Sequence, residues 1–443
     1  MKKVALHNLG CKVNSYETEA MQELLENNGY EIVPFKEGAD IYIINTCTVT
    51  NMADRKSRQM LHKAKKMNPD AIVVAAGCYV QVKDDADMDE SIDLVIGNNK
   101  KHELIEILKS YDTHSSACDC EPGACENCTC EEKAVIDINN TSEYEELQVT
   151  KTTEHTRAYL KVQDGCNQFC SYCIIPYARG RIRSRDKDDV VSEVKRLASN
   201  GYKEVVLTGI HLSSYGVDMD GREDLLSLIE AVHEVEGIER IRLGSLEPRI
   251  ITEEFARKTA ALPKMCPHFH LSLQSGCDET LKRMNRKYTA KEYKAACELL
   301  RRYYGLVHFT TDIIVGFPGE TEDEFQATKA FVEEIGFYET HVFKYSKREG
   351  TKAAIMKEQV QENVKAIRSN VLIDLCKNQQ GKLNHELQGE EVSVLLEEKI
   401  SLEGNEYYTG HTKEYVKVAI LADGYTSNEV IVARIGEKLQ IMN

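Results

Sequence analysis

Short apolar runs alternate with amphipathic helical patterns along the N-terminal part of the chain, and this alternation dictates a parallel α/β sheet. The runs are VALHNL, ADIYIINT, AIVVAAG and DLVIG, separated by patterns such as SYETEAMQELLENNG and MADRKSRQMLHKAKKM. Three of them run into a cysteine: LGC at Cys11, NTC at Cys47 and AGC at Cys78. Ligands of open α/β sheets sit beyond the carboxyl ends of the strands, so three such ends can bring three thiols together. One such cysteine alone reads as a small buried apolar residue. Three at equivalent strand ends of one sheet read as ligands of a metal centre.

The alternation resumes at Ala158 with the strands AYLKVQ, EVVLTG, RIRLGS, FHLSLQ, FTTDIIVG and THVFKY. Six βα units predict a partial barrel rather than a closed eight-stranded one. From about Gln388 the pattern changes to EVSVLLEE, EYYTGHT, EYVKVAIL, EVIVARIG and KLQIM, short strands that predict a small β-barrel. The expected divisions are residues 1–110, a charged linker at 111–153, a core at 154–382 and a terminal barrel at 385–443. A chain of 443 residues matches this plan at about 150 residues per domain.

Fifteen cysteines without an export signal place the chain by default in the cytoplasm, where thiols stay reduced. Metal or redox chemistry then outranks a disulfide framework. No apolar run approaches the roughly 20 residues of a membrane span, so no membrane partner is expected. A net charge of −16 weighs against wholesale nucleic-acid binding while leaving room for local basic patches. The linker holds CDCEPGACENCTC, with Cys118, Cys120, Cys125, Cys128 and Cys130. Such spacing suits zinc or another soft metal, and equally a variable loop outside the main activity.

After the first core strand the chain reads DGCNQFCSYCIIPYARGRIRSR, and Cys166, Cys170 and Cys173 put three thiols on one loop. A cubane held by three protein thiolates keeps one iron open for an exogenous ligand, which the amine and carboxylate of one small molecule can chelate. Zinc competes, with His155 as a fourth ligand, but the position at the carboxyl end of the first barrel strand favours a catalytic cluster.

With NLGCKVNSYE, INTCTVT, AAGC and DGCNQFCSYCIIPYARG in this order, the chain resembles the radical S-adenosylmethionine methylthiotransferases, and its terminal module resembles a TRAM domain. The resemblance implies two [4Fe-4S] clusters, one on Cys11, Cys47 and Cys78 and the other on Cys166, Cys170 and Cys173. It further implies two molecules of S-adenosyl-L-methionine per product. The second cluster would cleave one reductively to a 5'-deoxyadenosyl radical, and the first would carry the sulfur that the other methylates. An electron donor of flavodoxin or ferredoxin type and a sulfur source follow as partners. For S-adenosylmethionine itself the strand ends offer Thr208, Gly209, Ser245, Glu247, Gln274, Ser275, Asp312 and Gly316. Family members often carry a Gly-Gly-Glu segment after the second strand, where this chain has Thr208-Gly209-Ile210. No catalytic residue beyond the cluster ligands is assigned.

GCKVN, YARGR and GIHLSSYG are similar to the subgroup that methylthiolates threonylcarbamoyladenosine at tRNA position 37. Arg179, Arg181, Arg183 and Arg185 stand where they would steer phosphates, as would the stretches LKRMNRKYTAK and DRKSRQMLHKAKK. Other readings are an isopentenyladenosine substrate, whose enzymes usually carry GCQMN, an aspartate of a ribosomal protein, and a non-enzymatic iron-sulfur protein that binds RNA or senses redox state.

Overall fold

The computed structural model describes residues 1–83, 88–117, 133–152, 156–402 and 404–436. His155, the cysteine-rich stretch Cys118 to Cys130 and the run KLQIM lie outside them. No helix among the described residues is long and apolar enough to cross a membrane. The chain forms two compact units. The first comprises Met1–Lys151, Gln163–Asn167 and Cys173–Ser184, and the second comprises Thr152–Val162, Gln168–Tyr172 and Arg185–Asn443.

The first unit is built on β1 (Lys3–Asn8), β2 (Glu31–Ile32), β3 (Ile41–Thr46), β4 (Ile72–Gly77), β5 (Leu94–Ile96) and β6 (Lys133–Ala134). They pair in the order β2-β1-β3-β4-β5-β6, all parallel. The sequence IYIINT of β3 is buried along its whole length, as a strand covered on both faces must be. One face packs Ile41, Ile43 and Val74 against Met21, Leu25, Leu104 and Leu108. The other packs Tyr42, Ile44 and Val73 against Leu61 and Ala64. Each fully buried Ile, Leu or Val contributes about 1.5–3 kcal/mol. β1, β3 and β4 are neighbours, so the strand ends leading to Cys11, Cys47 and Cys78 lie side by side.

The chain continues through β7 (Ala158–Asp164) and β8 (Arg183–Ser184), which pair antiparallel through Gln163–Ser184 and Asp164–Arg183. The second unit then adds β9 (Glu204–Gly209), β10 (Arg240–Leu243), β11 (His268–His270), β12 (His308–Val315) and β13 (Glu339–Lys344). β7, β9 and β10 are consecutive in one sheet, and β11, β12 and β13 in another. Parallel bridges Ile241–Met265 and Leu246–Leu271 connect them. The result is the six-stranded arc expected from the pattern. Its helices start on built caps: Thr289 with Glu292 and Thr321 with Glu324 each form a reciprocal capping box.

A 25-residue helix, Glu362–Glu386, leads to β14 (Glu391–Leu402), β15 (Asn405–Thr412), β16 (Lys417–Leu421) and β17 (Val430–Arg434). They form a curled antiparallel sheet in the order β16-β15-β14-β17, bulged between Leu396 and Lys399. This terminal sheet docks on the residues that begin the core strands. Arg240 donates to the His411 carbonyl at 2.9 Å and to Ser393 Oγ at 3.0 Å. Arg242 donates to the Lys413 and Thr412 carbonyls at 3.0 and 3.2 Å, and its Nε bonds Glu204 at 2.8 Å. Tyr415, at φ 74°, lies between His268 and His411, stacked on each, with the guanidinium groups of Arg157 and Arg242 over its ring. Glu397 closes the cage by pairing with Arg157 at 3.1 Å and His411 at 2.9 Å.

Candidate metal and cofactor sites

In the first unit Cys47 and Cys78 are buried and Cys11 is exposed. Gly10, at φ +110°, is required where β1 ends, because a Cβ there would stand 2.8 Å from the Cys47 sulfur. Burial pushes the Cys47 thiol up to about 12, and the charges of Cys78 and Cys11 push it the same way. The Cys47 thiol is therefore protonated without metal, and loading releases its proton. No three His, Cys, Asp or Glu side chains among the described residues converge on a single metal ion. A cubane, which gives each thiolate its own iron, requires no such convergence.

A closed polar network surrounds Cys78. Arg179, wholly buried, donates from Nε to the Cys78 sulfur at 3.2 Å. Its remaining donors reach Glu17 at 2.5 and 3.1 Å, Asp164 at 3.2 Å and Asn14 Oδ1 at 2.6 Å. Asn98 donates to the Cys78 sulfur at 3.6 Å and to the Ala178 carbonyl at 2.7 Å, and accepts from Lys101 at 2.8 Å. Lys101 pairs with Glu17 at 3.1 Å, closing the ring. This donor set fits a metal-bound thiolate, which accepts hydrogen bonds far better than a thiol does.

The second cysteine loop begins with Gly165 at φ +72°. A Cβ there would fall 1.7 Å from the Arg181 carbonyl oxygen, while Cys166 N–H bonds the Gly180 carbonyl at 3.0 Å. Gly165→Ala is accordingly expected to open this turn and to lower the iron of the reconstituted protein by about four atoms, one cubane. Unchanged iron content would refute the assignment.

In the second unit, Cys170 accepts from Arg286 Nη1 at 3.3 Å. Arg286 also donates to the Tyr288 hydroxyl at 3.0 Å and lies over its ring. Neighbouring residues pin this part of the loop: Ser171 Oγ donates to the Arg283 carbonyl at 2.8 Å, and Asn285 to the Phe169 carbonyl at 2.9 Å.

Among the expected cofactor contacts, Thr208 is buried and Gly209 ends β9. Glu247 is buried and bonds His211 at 3.1 Å and Arg249. Burial pushes its carboxyl up, but His211, Arg249 and Arg286 outweigh that and hold it at about 2. It is a carboxylate at neutral pH. Ser245 is exposed. Gln274, at φ 66°, is held by backbone bonds to Asp312 and Ile314, and Asp312 pairs with His270 at 3.3 Å. Ser275 is turned to Thr328 at 3.1 Å, and a Cβ on Gly316 would fall 2.2 Å from Lys365. Glu247 and Cys170 are thus linked through Arg286. The sequence reading missed His211, Arg249, Arg286, Tyr288, Asn98 and Lys101, whose signals lay within GIHLSS, SLEPR, MNRKY and NNKK.

The arginines expected to steer phosphates are a correction. Arg179, Arg183 and Arg185 are buried, and only Arg181 of the four is exposed. Arg183 donates to the carbonyls of Arg179 and Arg181, and Arg185 pairs with Glu193 at 2.6 Å. In LKRMNRKYTAK, Arg283 pairs with Glu324 and Arg286 holds Cys170. By contrast the helix Asn51–Met67 exposes Arg55, Lys56, Arg58, Lys63 and Lys66.

Residues 160–332 match the Radical SAM superfamily, and residues 3–97 match an uncharacterized protein family, UPF0004. A βα arc with three thiols following its first strand, joined to a second cysteine-bearing sheet, defines a radical S-adenosylmethionine enzyme. The threonylcarbamoyladenosine tRNA methylthiotransferase MtaB of Bacillus subtilis is 40% identical over 99% of this chain and 98% of its own length. That of Aquifex aeolicus is 39% identical over 95% and 98%. The chain belongs to the MtaB family of tRNA methylthiotransferases. A tRNA-2-methylthio-N(6)-dimethylallyladenosine synthase of Finegoldia magna is 35% identical over 94% of this chain and 87% of its own. Among solved structures, the radical S-adenosylmethionine methyltransferase TsrM of Kitasatospora setae shares the fold, with a TM-score of 0.57 at 18% identity over 80% of this chain and 77% of its own.

Proposed function

We propose that this enzyme methylthiolates C2 of N6-threonylcarbamoyladenosine at tRNA position 37, with an auxiliary cluster on Cys11, Cys47 and Cys78 and a radical cluster on Cys166, Cys170 and Cys173. The observation that carries this reading is that Cys11, Cys47 and Cys78 follow three adjacent parallel strands, in a chain whose relatives carry that activity in their names. When bound, the two clusters supply reductive cleavage of S-adenosylmethionine and the sulfur to be methylated. The chain's own residues do the rest. Arg286 would hold Cys170, and ionised Glu247, which follows β10, would take the amine or ribose hydroxyls of the cofactor together with Thr208 and Gly209 at the end of the adjacent β9. The basic helix Asn51–Met67 offers cations to phosphate.

The division of labour follows residues 1–110, 154–382 and 385–443. A flavodoxin- or ferredoxin-like donor and a cytoplasmic setting complete the proposal, together with a sulfur source. Nucleoside mass spectrometry of total tRNA from cells lacking the protein tests it. The methylthio form should vanish and unmodified threonylcarbamoyladenosine accumulate. Loss of a methylthio-isopentenyl nucleoside instead, or no change in tRNA, would overturn it. Because the cysteine-rich insert belongs to neither three-cysteine set, changing its five cysteines to serine should leave turnover on tRNA within about twofold of wild type, measured by the same nucleoside assay.

A further inference from the structure

We infer that Arg179 is a positioning residue of the auxiliary cluster, and that its N–H···S bond to Cys78 sets that cluster's reduction potential. The inference rests on the two-cluster reading above. Three observations carry it. Arg179 is fully buried, and its donors are divided among Cys78, Glu17, Asp164 and Asn14, so one donor of a costly buried cation is aimed at sulfur. A neutral thiol would be a poor partner for that donor, whereas a thiolate is a strong one. Glu17 is shared with Lys101 and Asp164 with Arg183, so two carboxylates face three cations and positive charge remains toward the sulfur. Finally, Arg179 ends the short helix Ile175–Arg179, which starts two residues after Cys173. One stretch of chain therefore bears a ligand of the radical cluster and a hydrogen-bond donor to a ligand of the auxiliary one.

Hydrogen bonds to cluster sulfurs favour the reduced, more negative state and raise the potential. The test uses the full-length protein with Cys166, Cys170 and Cys173 changed to alanine, so that only the auxiliary cluster loads. Redox titration followed by electron paramagnetic resonance then compares Arg179 with Arg179→Gln and Arg179→Lys. The Gln variant should shift the midpoint to a more negative potential and alter the resonance. Lys, which keeps the charge but not the planar fork, should recover part of the shift. If circular dichroism shows that the Gln variant is unfolded, the Lys variant decides alone, by a midpoint more negative than that of Arg179. Identical midpoints and spectra in the folded variants would overturn the inference. Absence of any cluster from the Arg179 parent would instead remove the two-cluster reading, and this inference with it.

Discussion

Changing Cys11 to alanine is expected to abolish tRNA methylthiolation while leaving 5'-deoxyadenosine release from S-adenosylmethionine at the wild-type rate. Cys11 follows β1 beside the strands that lead to Cys47 and Cys78, whereas the radical loop draws its thiols from Cys166, Cys170 and Cys173. Losing an outer-shell partner of a metal site costs about 10–100-fold, and losing one of only three protein ligands costs more. Product should therefore fall by more than about 100-fold. Cys173→Ala should do the converse, ending 5'-deoxyadenosine release while the auxiliary cluster still assembles. Chromatography of the reduced reaction mixture reads both products at once. Methylthiolated tRNA at the normal rate from the Cys11 variant would make Cys11 a strand-end cysteine with no ligand role.

The terminal sheet carries the second large effect. It contains no cluster cysteine, and its removal after Gly389 would be expected from sequence to weaken substrate binding alone. The docking contacts predict more. Truncation uncovers Arg240, Arg242 and His268, which are buried, and deletes Tyr415 and Glu397 from the cage they share with Arg157. The truncated chain should melt well below the intact one and lose radical generation with its fold. An unchanged melting temperature would show that the docking contributes nothing. Arg242→Met removes the nearest partner of buried Glu204 and leaves Arg240 at 3.6 Å, so it should cost less than the about 3–5 kcal/mol of a fully broken buried pair.

Glu204 also gives this interface a pH signature. Burial pushes its carboxyl up, but Arg242, Arg157 and Arg240 overcome that and hold it at about 2, below its ordinary 4.5. A depressed pKa stabilises the folded state above the ordinary value, and the contribution disappears as pH falls through the folded one. The stability difference between wild type and Glu204→Gln should thus be flat above about pH 4.5 and shrink toward pH 2.

The strands, and the positions of the six cysteines relative to them, were legible because each depends on local pattern. The residues of β3 and β4 form apolar runs that a covered parallel strand explains, and Cys47 and Cys78 follow them directly. The two-residue strands β2 and β6 carry no pattern of their own and exist through their neighbours. The arginines after the radical loop were misread because a basic run looks the same whether it faces water or carboxylates distant in sequence. Arg179 meets Glu17 across 162 positions, and Arg242 meets the Thr412 carbonyl across 170. Arg286 was hidden in the same way, inside a stretch whose composition indicated only phosphate.

The burial of those arginines has a thermodynamic consequence for RNA recognition. Each phosphate neutralised by an exposed cation releases condensed counterions, and that release makes polyanion affinity fall steeply with ionic strength. Here Arg179, Arg183, Arg185, Arg240 and Arg242 lie inside the protein, in a chain of net charge −16. These guanidinium groups release no counterions, so that share of the binding energy falls to exposed cations such as Arg55, Lys56, Arg58, Lys63 and Lys66 of the helix Asn51–Met67. Discrimination then falls to bases stacked and hydrogen-bonded out of the helix and to the shape of the folded RNA, the terms that distinguish one nucleoside from another.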